Sequence, residues 1–324
     1  MLEVIDVSIC NVALPHIQSN LGATLAEVGW VVTGYAMASV VMIPLSEWLS
    51  ERFGQRTYFV FSLLGFTAAS VLCGLAPSLP WLVAARLSQG LLGGGLMPKA
   101  QAIMFQVVPK ALQGVAQGVF GIGVLVGPVL GPTLGGFLTD GPGWRWIFFI
   151  NVPFGLLTVL MALAFMPPDP DPAWADAQGQ PLTAGRAQVD WTGILLLVAG
   201  LASLQVVLEQ GRQYDWFDNG WIRQLSLLSA VAVPSFVWWE LRCGHPAVDL
   251  RVLRHRSLAA GSLFSMVLGM GLYGTVFVVP IFAQTVLHYT ATQTGLMMLP
   301  GALASAVTMG VLGKNAHRFD PRLL

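Results

Sequence analysis

The chain has 324 residues, of which 55% are hydrophobic and only 10% are charged, whereas about 25% of the residues of an ordinary soluble domain are charged. So few charges cannot cover the surface of a soluble protein, and the 16 basic residues balance the 16 acidic ones, so no basic patch predicts nucleic-acid binding. The composition therefore favours a protein that lies in the lipid bilayer.

Long segments with almost no charge recur along the chain. Most of them reach the roughly 20 residues that a helix needs to cross about 30 Å of hydrocarbon. Because backbone that faces lipid must satisfy its own hydrogen bonds, helices are the structures compatible with segments of this length. We predict ten spans, at residues 4–17, 29–49, 57–76, 80–105, 112–138, 144–166, 191–208, 220–239, 257–284 and 293–313.

The longest polar interruption, residues 167–188, follows the sixth span and is rich in proline, aspartate and glycine, as a linker is. A repeat is also present: ERFGQR at residues 51–56 follows the second span, and HRFDPR at residues 317–322 follows the tenth. The tenth span therefore resembles the second span of a second half. We expect this chain to be truncated at both ends.

The basic residues between spans predict the orientation, because they are enriched in cytoplasmic loops. With the start of the chain in the cytoplasm, three of them fall outside, namely Arg145, Arg212 and Arg223. The larger set falls inside and comprises Arg52, Arg56, Lys110, Arg186, Arg242, Arg251, Arg254, Arg256, Lys314, Arg318 and Arg322. The N-terminus is therefore predicted to be cytoplasmic.

The fifth span contains GVLVGPVLGPTLGG, residues 123–136. In water each interior glycine costs a helix about 1 kcal/mol and each interior proline about 3 kcal/mol. In lipid, glycines four residues apart form a flat stripe on which a neighbouring helix packs closely. Close packing alone is the simpler interpretation. The glycines and prolines are Gly123, Gly127, Pro128, Gly131, Pro132, Gly135 and Gly136.

These residues resemble the fifth-span antiporter motif of the major facilitator superfamily, in particular of its fourteen-span drug:proton antiporters of the EmrB/QacA type. IDVSICNVALP at residues 5–15 resembles the first-span motif of that family, and RLSQGLLGGG at residues 86–95 its fourth-span motif, with Gln89 and Gly90. WRWIFFINVPFG at residues 144–155 resembles the start of its sixth span, and HPAVDLRVLRHRS at residues 245–257 the approach to its ninth. The similarity extends from residue 2 to residue 324.

Two charged residues lie inside predicted spans, where a charge is costly unless it is paired or faces water. Asp6 lies either at the cytoplasmic boundary or within the span, and the resemblance implies a role in proton coupling. Arg86 cannot shed its proton, so it either extends outward to the membrane surface or needs a partner. The resemblance assigns this arginine to proton translocation.

The segment ERFGQR resembles the family's cytoplasmic gating loop, which implies that Glu51, Arg52, Gly54 and Arg56 hold the inner gate closed. From the residues alone, basic anchors at the membrane surface are the alternative. Glu51 stands where aspartate is usual, and Glu47 stands where glycine is usual. Lys99 in the fourth span is not implied by the resemblance, and it either extends to the cytoplasmic face or lines the transport cavity.

The expected fold is an all-α polytopic membrane protein with the major facilitator fold. The expected function is proton-coupled efflux of drugs or other small amphipathic molecules by alternating access. The alternatives are an exporter of an endogenous metabolite, lipid precursor or siderophore, and a truncated protein that does not transport. We expect no enzymatic activity, no metal ion, no nucleic-acid partner and no cofactor. The expected energy source is the proton gradient. The resemblance places the protein in a bacterial inner membrane and raises a periplasmic adaptor protein as a partner.

The resemblance also divides the chain. Two spans after the linker correspond to the extra pair of the fourteen-span family. The expected units are a six-span bundle at 1–166, a cytoplasmic linker at 167–190, two extra spans at 191–239, a cytoplasmic loop at 240–256 and the first two spans of an incomplete C-terminal bundle at 257–324.

Overall fold

The structure is a computed structural model that describes residues 2–169 and 190–289 and, beyond them, residues 293, 294, 296, 297, 300, 301, 304, 307 and 308. The described residues form helices and turns without a β-strand, which confirms the all-helical prediction. Most of the predicted linker, much of the predicted tenth span and the repeat at 317–322 lie outside the described residues.

Eleven α-helices are present in the described ranges, and each predicted span before residue 290 coincides with one helix or with two consecutive ones. They are α1 (Leu2–Leu21), α2 (Leu25–Phe53), α3 (Gln55–Gly74), α4 (Leu79–Gly93), α5 (Leu96–Val107), α6 (Gln113–Asp140), α7 (Trp146–Phe149), α8 (Asn151–Phe165), α9 (Trp191–Gln210), α10 (Gly220–Glu240) and α11 (Arg256–Thr285).

The membrane-crossing character of these helices is clear from their length and composition. Five helical stretches in the described part of the chain are long and apolar enough to cross a membrane. They are residues Ala26–Phe53, Gln55–Gly74, Trp146–Phe165, Trp191–Tyr214 and Gly220–Glu240. Large apolar side chains also cover the outer surface; Phe165, for example, is 79% exposed. A lipid environment explains such a surface, and the protein is a multi-pass membrane protein.

Local sequence explains where α2 begins and ends. The Thr24 hydroxyl accepts a hydrogen bond from the Glu27 N–H at 3.3 Å, and the Glu27 carboxylate accepts one from the Thr24 N–H at 2.8 Å. This reciprocal pair satisfies two N–H groups that the start of a helix leaves unbonded. The helix ends at Gly54, whose φ of 91° lies in the left-handed region that glycine adopts without strain. The chain then enters α3 directly.

The helices pack into a bundle in which α4 contacts both α2 and α3, and α3 also contacts α8. Helices α9 and α10 form an antiparallel pair that packs on α2 through α9, where the Gln210 amide donates to the Thr33 hydroxyl at 2.7 Å. A hydrophobic core lies where α1, α2, α4 and α7 meet. It includes Ile9, Ile17, Val31, Leu82 and Phe148.

The glycine stripe of α6 packs against α1. A Cβ atom on Gly127 would lie 2.9 Å from Val4 Cγ1, and one on Gly135 would lie 3.3 Å from the Ile9 carbonyl oxygen. A Cβ atom on Gly131 would overlap Ser8, at 2.5 Å from its Cβ atom. The absence of side chains on this face therefore lets α6 lie directly on α1, as the spacing of the glycines predicts.

We expect Gly131→Ala to lower the free energy of unfolding by about 1–3 kcal/mol, because the added methyl group overlaps Ser8 and forces α1 and α6 apart. Thermal unfolding of the purified protein in detergent measures the change. The matched control is Gly269→Ala in α11, where a Cβ atom meets no described atom within 4 Å. Equal melting temperatures for the two variants would contradict the close packing of α6 on α1.

Candidate functional site

Arg86 and Asp6 form an ion pair in the interior of the bundle. Arg86 Nη1 on α4 lies 2.5 Å from Asp6 Oδ2 on α1, and the two side chains are 0% and 1% exposed. The guanidinium also donates through Nε to the Val31 carbonyl oxygen at 3.1 Å, and it lies 4.2 Å from the centre of the Tyr35 ring. Arg86 therefore does not extend to the membrane surface; it has a charged partner, a backbone acceptor and an aromatic face.

Three uncharged polar side chains lie around the Asp6–Arg86 pair, and two of them donate hydrogen bonds to Asp6. Asn151 on α8 donates to Asp6 Oδ1 at 2.6 Å, and Gln89 on α4 donates to the same oxygen at 3.1 Å. The Gln89 amide oxygen accepts from Arg86 Nη1 at 2.7 Å, and the Gln89 amide nitrogen also donates to the Ser70 hydroxyl at 2.8 Å. We name Asp6, Ser70, Arg86, Gln89 and Asn151 the polar cluster.

The Asp6 carboxylate is surrounded by hydrogen-bond donors. It accepts hydrogen bonds from one charged and two neutral donors, and the positive charge of Arg86 lies beside it in the interior of the bundle. Arg86 Nη2 is buried and has no hydrogen-bond partner among the described residues, so the guanidinium has unused donor capacity. A proton placed on Asp6 would neutralise the acid and leave the arginine charge uncompensated.

Sequence reasoning identified Asp6, Arg86 and Gln89 separately, and the structure brings them together. It missed Asn151 and Ser70. Asn151 lies within the quoted stretch at 144–155, and an asparagine in an apolar span is a signal that could have been used. Ser70 gives no such signal, because a serine hydroxyl can bond the carbonyl of its own helix, as Ser70 does to Phe66 at 2.9 Å.

Gly90 sets the distance between α4 and α2. A Cβ atom on Gly90 would lie 2.5 Å from the Tyr35 carbonyl oxygen and 2.8 Å from the Ala38 Cβ atom, so no other residue fits without a shift. This close approach brings Arg86 within reach of the Val31 carbonyl and the Tyr35 ring. The two motif residues thus have different roles. Gln89 forms hydrogen bonds with Arg86 and Asp6, and Gly90 allows α4 to pack closely on α2.

The glycine motif lies beside the polar cluster, because the residues of α1 that it contacts, Val4 and Ser8, flank Asp6. Gly136 is buried and Gly123 is half-buried in the same helix. The α6 backbone stays helical through residues 128 and 132. The side chains of Pro128 and Pro132 lie outside the described part of the structure.

The predicted gating loop is tied to the end of α8. The Asp169 carboxylate accepts hydrogen bonds from the backbone N–H of Arg56 at 2.7 Å and of Thr57 at 2.8 Å, and the Arg56 guanidinium donates to the Leu163 carbonyl at 2.6 Å. Partial burial raises the pKa of Asp169, but the backbone donors outweigh it and hold the pKa below its ordinary value. Asp169 therefore caps α3 from a distant part of the chain.

The other gating residues are placed differently. Glu51 and Arg52 are exposed and make no ion pair with the described residues, so the structure does not bring Glu51 to either arginine of the loop. The predicted role of Glu51, Arg52, Gly54 and Arg56 in holding an inner gate closed stays a prediction. The acid that faces Gly54 and Arg56 is Asp169, which sequence reasoning assigned only to the linker.

Lys99 pairs with Glu47. The Lys99 ammonium lies 2.7 Å from Glu47 Oε2, and the lysine side chain is 2% exposed whereas the glutamate is 63% exposed. The two residues line a cavity of about 290 Å³ together with Pro44, Pro98 and Asp249. Lys99 therefore does not extend freely to the surface; it supports the glutamate that departs from the family pattern.

We expect Asp6→Asn to lower the free energy of unfolding by about 3–5 kcal/mol, because it leaves the Arg86 charge buried without a counter-charge. The double variant Asp6→Asn with Arg86→Met removes both charges and should recover most of that loss. Thermal unfolding in detergent measures both. The control Asp140→Asn concerns an exposed carboxylate and should change stability by about 0.5 kcal/mol or less. A double variant no more stable than the single one would contradict the pairing.

We expect Asp169→Ala to lower the free energy of unfolding by about 1 kcal/mol at neutral pH, the usual cost of losing a helix cap. Because the pKa of Asp169 is lowered in the folded protein, its stabilisation is present above the unfolded value of about 3.9 and is lost as pH falls through the folded value. Wild type and variant should therefore converge in acid. A stability difference that stays constant with pH would show that the carboxylate charge is not involved.

The sequence profile of the Major Facilitator Superfamily matches residues 1–324. The chain is 35% identical over 323 residues to the multidrug export protein EmrB of Escherichia coli K12, covering 100% of this chain and 61% of the relative. It is 34% identical over 323 residues to the fatty acid resistance protein FarB of Neisseria gonorrhoeae, covering 100% and 62%.

A more distant relative is the multidrug resistance protein B homolog of Mycobacterium tuberculosis H37Rv, with 33% identity over 320 residues, 98% of this chain and 57% of the relative. The chain thus spans about three fifths of the length of these curated relatives. The family profile covers all of the residues that form the bundle, the polar cluster and the glycine stripe. The chain therefore belongs to the Major Facilitator Superfamily.

Proposed function

We propose that the protein exports drugs or other small amphipathic molecules in exchange for protons that enter the cell. The observation that carries this proposal is the buried Asp6–Arg86 pair, which places an acid beside a fixed positive charge in the interior of the bundle. A buried acid can bind a proton, and a neighbouring fixed charge makes that binding depend on the distance between the two. Export is the function in the printed name of the Escherichia coli relative.

The proposed coupling follows from the charges. A proton that reaches Asp6 ends its attraction to Arg86, and the guanidinium then turns its unused Nη2 donor toward another acceptor or toward water. Movement of α1 is transmitted to α6, because the glycine stripe leaves no gap between the two helices. Alternation of the site between the two membrane faces then couples proton entry to export of the molecule.

The proton gradient is the proposed energy source, with no cofactor. A membrane potential supplies about 2.3 kcal/mol per elementary charge per 100 mV, so each entering proton can drive cargo outward against its gradient. The proposed location is a bacterial inner membrane with the N-terminus in the cytoplasm, which the distribution of basic residues supports. A periplasmic adaptor is a proposed partner that rests on the family resemblance alone.

A second candidate cargo is an amphipathic acid. The Neisseria relative is named for fatty acid resistance, and its identity to this chain is almost that of the Escherichia coli relative. A fatty acid is itself a small amphipathic molecule, so the two candidates share the polar cluster and differ only in the cargo. Competition between a dye and a fatty acid for export distinguishes them.

The proposal is tested by ethidium efflux from cells that express the protein. Wild type should export the dye, and a protonophore that collapses the gradient should abolish export. Asp6→Asn should reduce efflux to the level of cells without the protein, and so should Arg86→Lys, because lysine cannot bond Asp6, Gln89 and the Val31 carbonyl at once.

The matched controls are Asp140→Asn and Arg223→Lys, the same chemical changes at exposed positions, and both should retain efflux. Membrane levels of every variant are compared by immunoblot. Efflux that resists the protonophore, or that persists in Asp6→Asn, would exclude the proposed coupling. A wild-type protein without any efflux would favour the alternative of a chain that does not transport.

A further inference from the structure

A second acid is buried far from the polar cluster. Glu240 is the last residue of α10 and is 0% exposed. Backbone N–H groups of Ala247 and Val248 approach its carboxyl group, but neither oxygen has a hydrogen-bond partner of normal geometry among the described residues. A buried carboxylate without a counter-charge or full hydrogen bonding is strongly unfavourable.

A titratable neighbour of Glu240 is another acid, Asp190. Asp190 caps the start of α9 and accepts hydrogen bonds from the Gly193 N–H at 2.8 Å and from the Trp239 ring N–H at 2.9 Å. A Cβ atom on Gly193 would overlap Asp190 Oδ2 and lie 2.6 Å from Glu240 Oε1. The two carboxyl groups therefore flank one methyl-sized space that the glycine leaves open.

No described cation neutralises this pair. The charged groups that face Glu240 are Asp190 from α9 and Asp249 from the loop after α10, and both are acidic. The basic residues nearby in sequence are engaged elsewhere: Arg251 donates to the Leu241 and Cys243 carbonyl oxygens, and Arg242 lies 4.4 Å from the centre of the Trp238 ring. Two ionised carboxylates in such a place repel each other, and no described cation balances them.

We propose that Asp190 and Glu240 form a proton-binding site that holds one shared proton at neutral pH. Two N–H groups already donate to the Asp190 carboxylate, whereas the Glu240 oxygens have no such partner among the described residues. Glu240 carries the proton and donates it toward Asp190 across the space beside Gly193. This site is separate from the polar cluster, and it does not depend on the proposed transport function.

The shared proton joins three parts of the chain. It links the start of α9 to the end of α10, and Glu240 also faces Ala247 and Val248. The segment from Ala247 to Asp249 lines the cavity that contains Glu47 and Lys99. Loss of the proton would place two negative charges beside Gly193, separate α9 from α10 at this end and release the segment from the cavity.

The first test is infrared spectroscopy of the intact chain in detergent at neutral pH. A protonated carboxyl group gives a C=O stretching band that a carboxylate lacks, so Glu240→Gln should remove one such band from the wild-type spectrum. Asp190→Asn keeps an acceptor in place and should shift this band without removing it. Asp218→Asn, an exposed acid on the turn between α9 and α10, should leave it unchanged. Identical carboxyl bands in wild type and Glu240→Gln would overturn the proposal.

The second test is thermal unfolding between about pH 6 and about pH 9, the range in which model carboxyl groups in water stay fully ionised. The folded protein holds a proton that the unfolded chain releases, so wild type and Asp218→Asn should lose stability as pH rises. Glu240→Gln mimics the neutral acid, so it should fold and show a flatter profile. An unfolded Glu240→Gln, an unchanged profile, or a profile set by sodium concentration would each overturn the shared proton.

Discussion

The guanidinium of Arg86 is the constraint around which the bundle is organised. An arginine keeps its charge at any relevant pH, so burying it requires an acid and several acceptors at fixed positions. Asp6 supplies the charge, Gln89 and the Val31 carbonyl accept two further hydrogen bonds from the guanidinium, and Asn151 bonds the acid in turn. Four helices, α1, α2, α4 and α8, are thereby held in one arrangement.

Glycines of α4 and α6 position the helices that carry that charge pair. Gly90 allows α4 to approach α2 closely enough for Arg86 to reach the α2 backbone. The stripe at Gly127, Gly131 and Gly135 places α6 directly on α1, the helix that carries Asp6. Val4 and Ser8 of α1 fill the space that these glycines leave, so the two helices are in van der Waals contact without a gap. The helix that carries Asp6, α1, is therefore in close contact with α6.

Sequence reasoning succeeded where one residue alone carries the signal. A charge in an apolar segment is costly wherever it lies, so Asp6 and Arg86 stand out individually, and the glycine spacing predicts a packing face. The contacts between them could not be predicted, because hydrophobic segments of similar length do not reveal which helices are neighbours. Asp169 was missed for a different reason: its partners are backbone N–H groups, which every residue but proline possesses.

Glu47 and Lys99 show how departures from a family pattern can explain each other. Considered separately, neither Glu47, which stands where glycine is usual, nor Lys99 in the fourth span is explained by the family pattern. In the structure the two lie on α2 and α5 at the same cavity and form an ion pair of 2.7 Å, so each supplies the counter-charge that the other needs. The same principle distinguishes Asp6 from Glu240, two buried acids in the described part of the chain. Asp6 lies beside the counter-charge of Arg86, whereas Glu240 faces only acids among the described residues, and on our proposal it holds a proton instead.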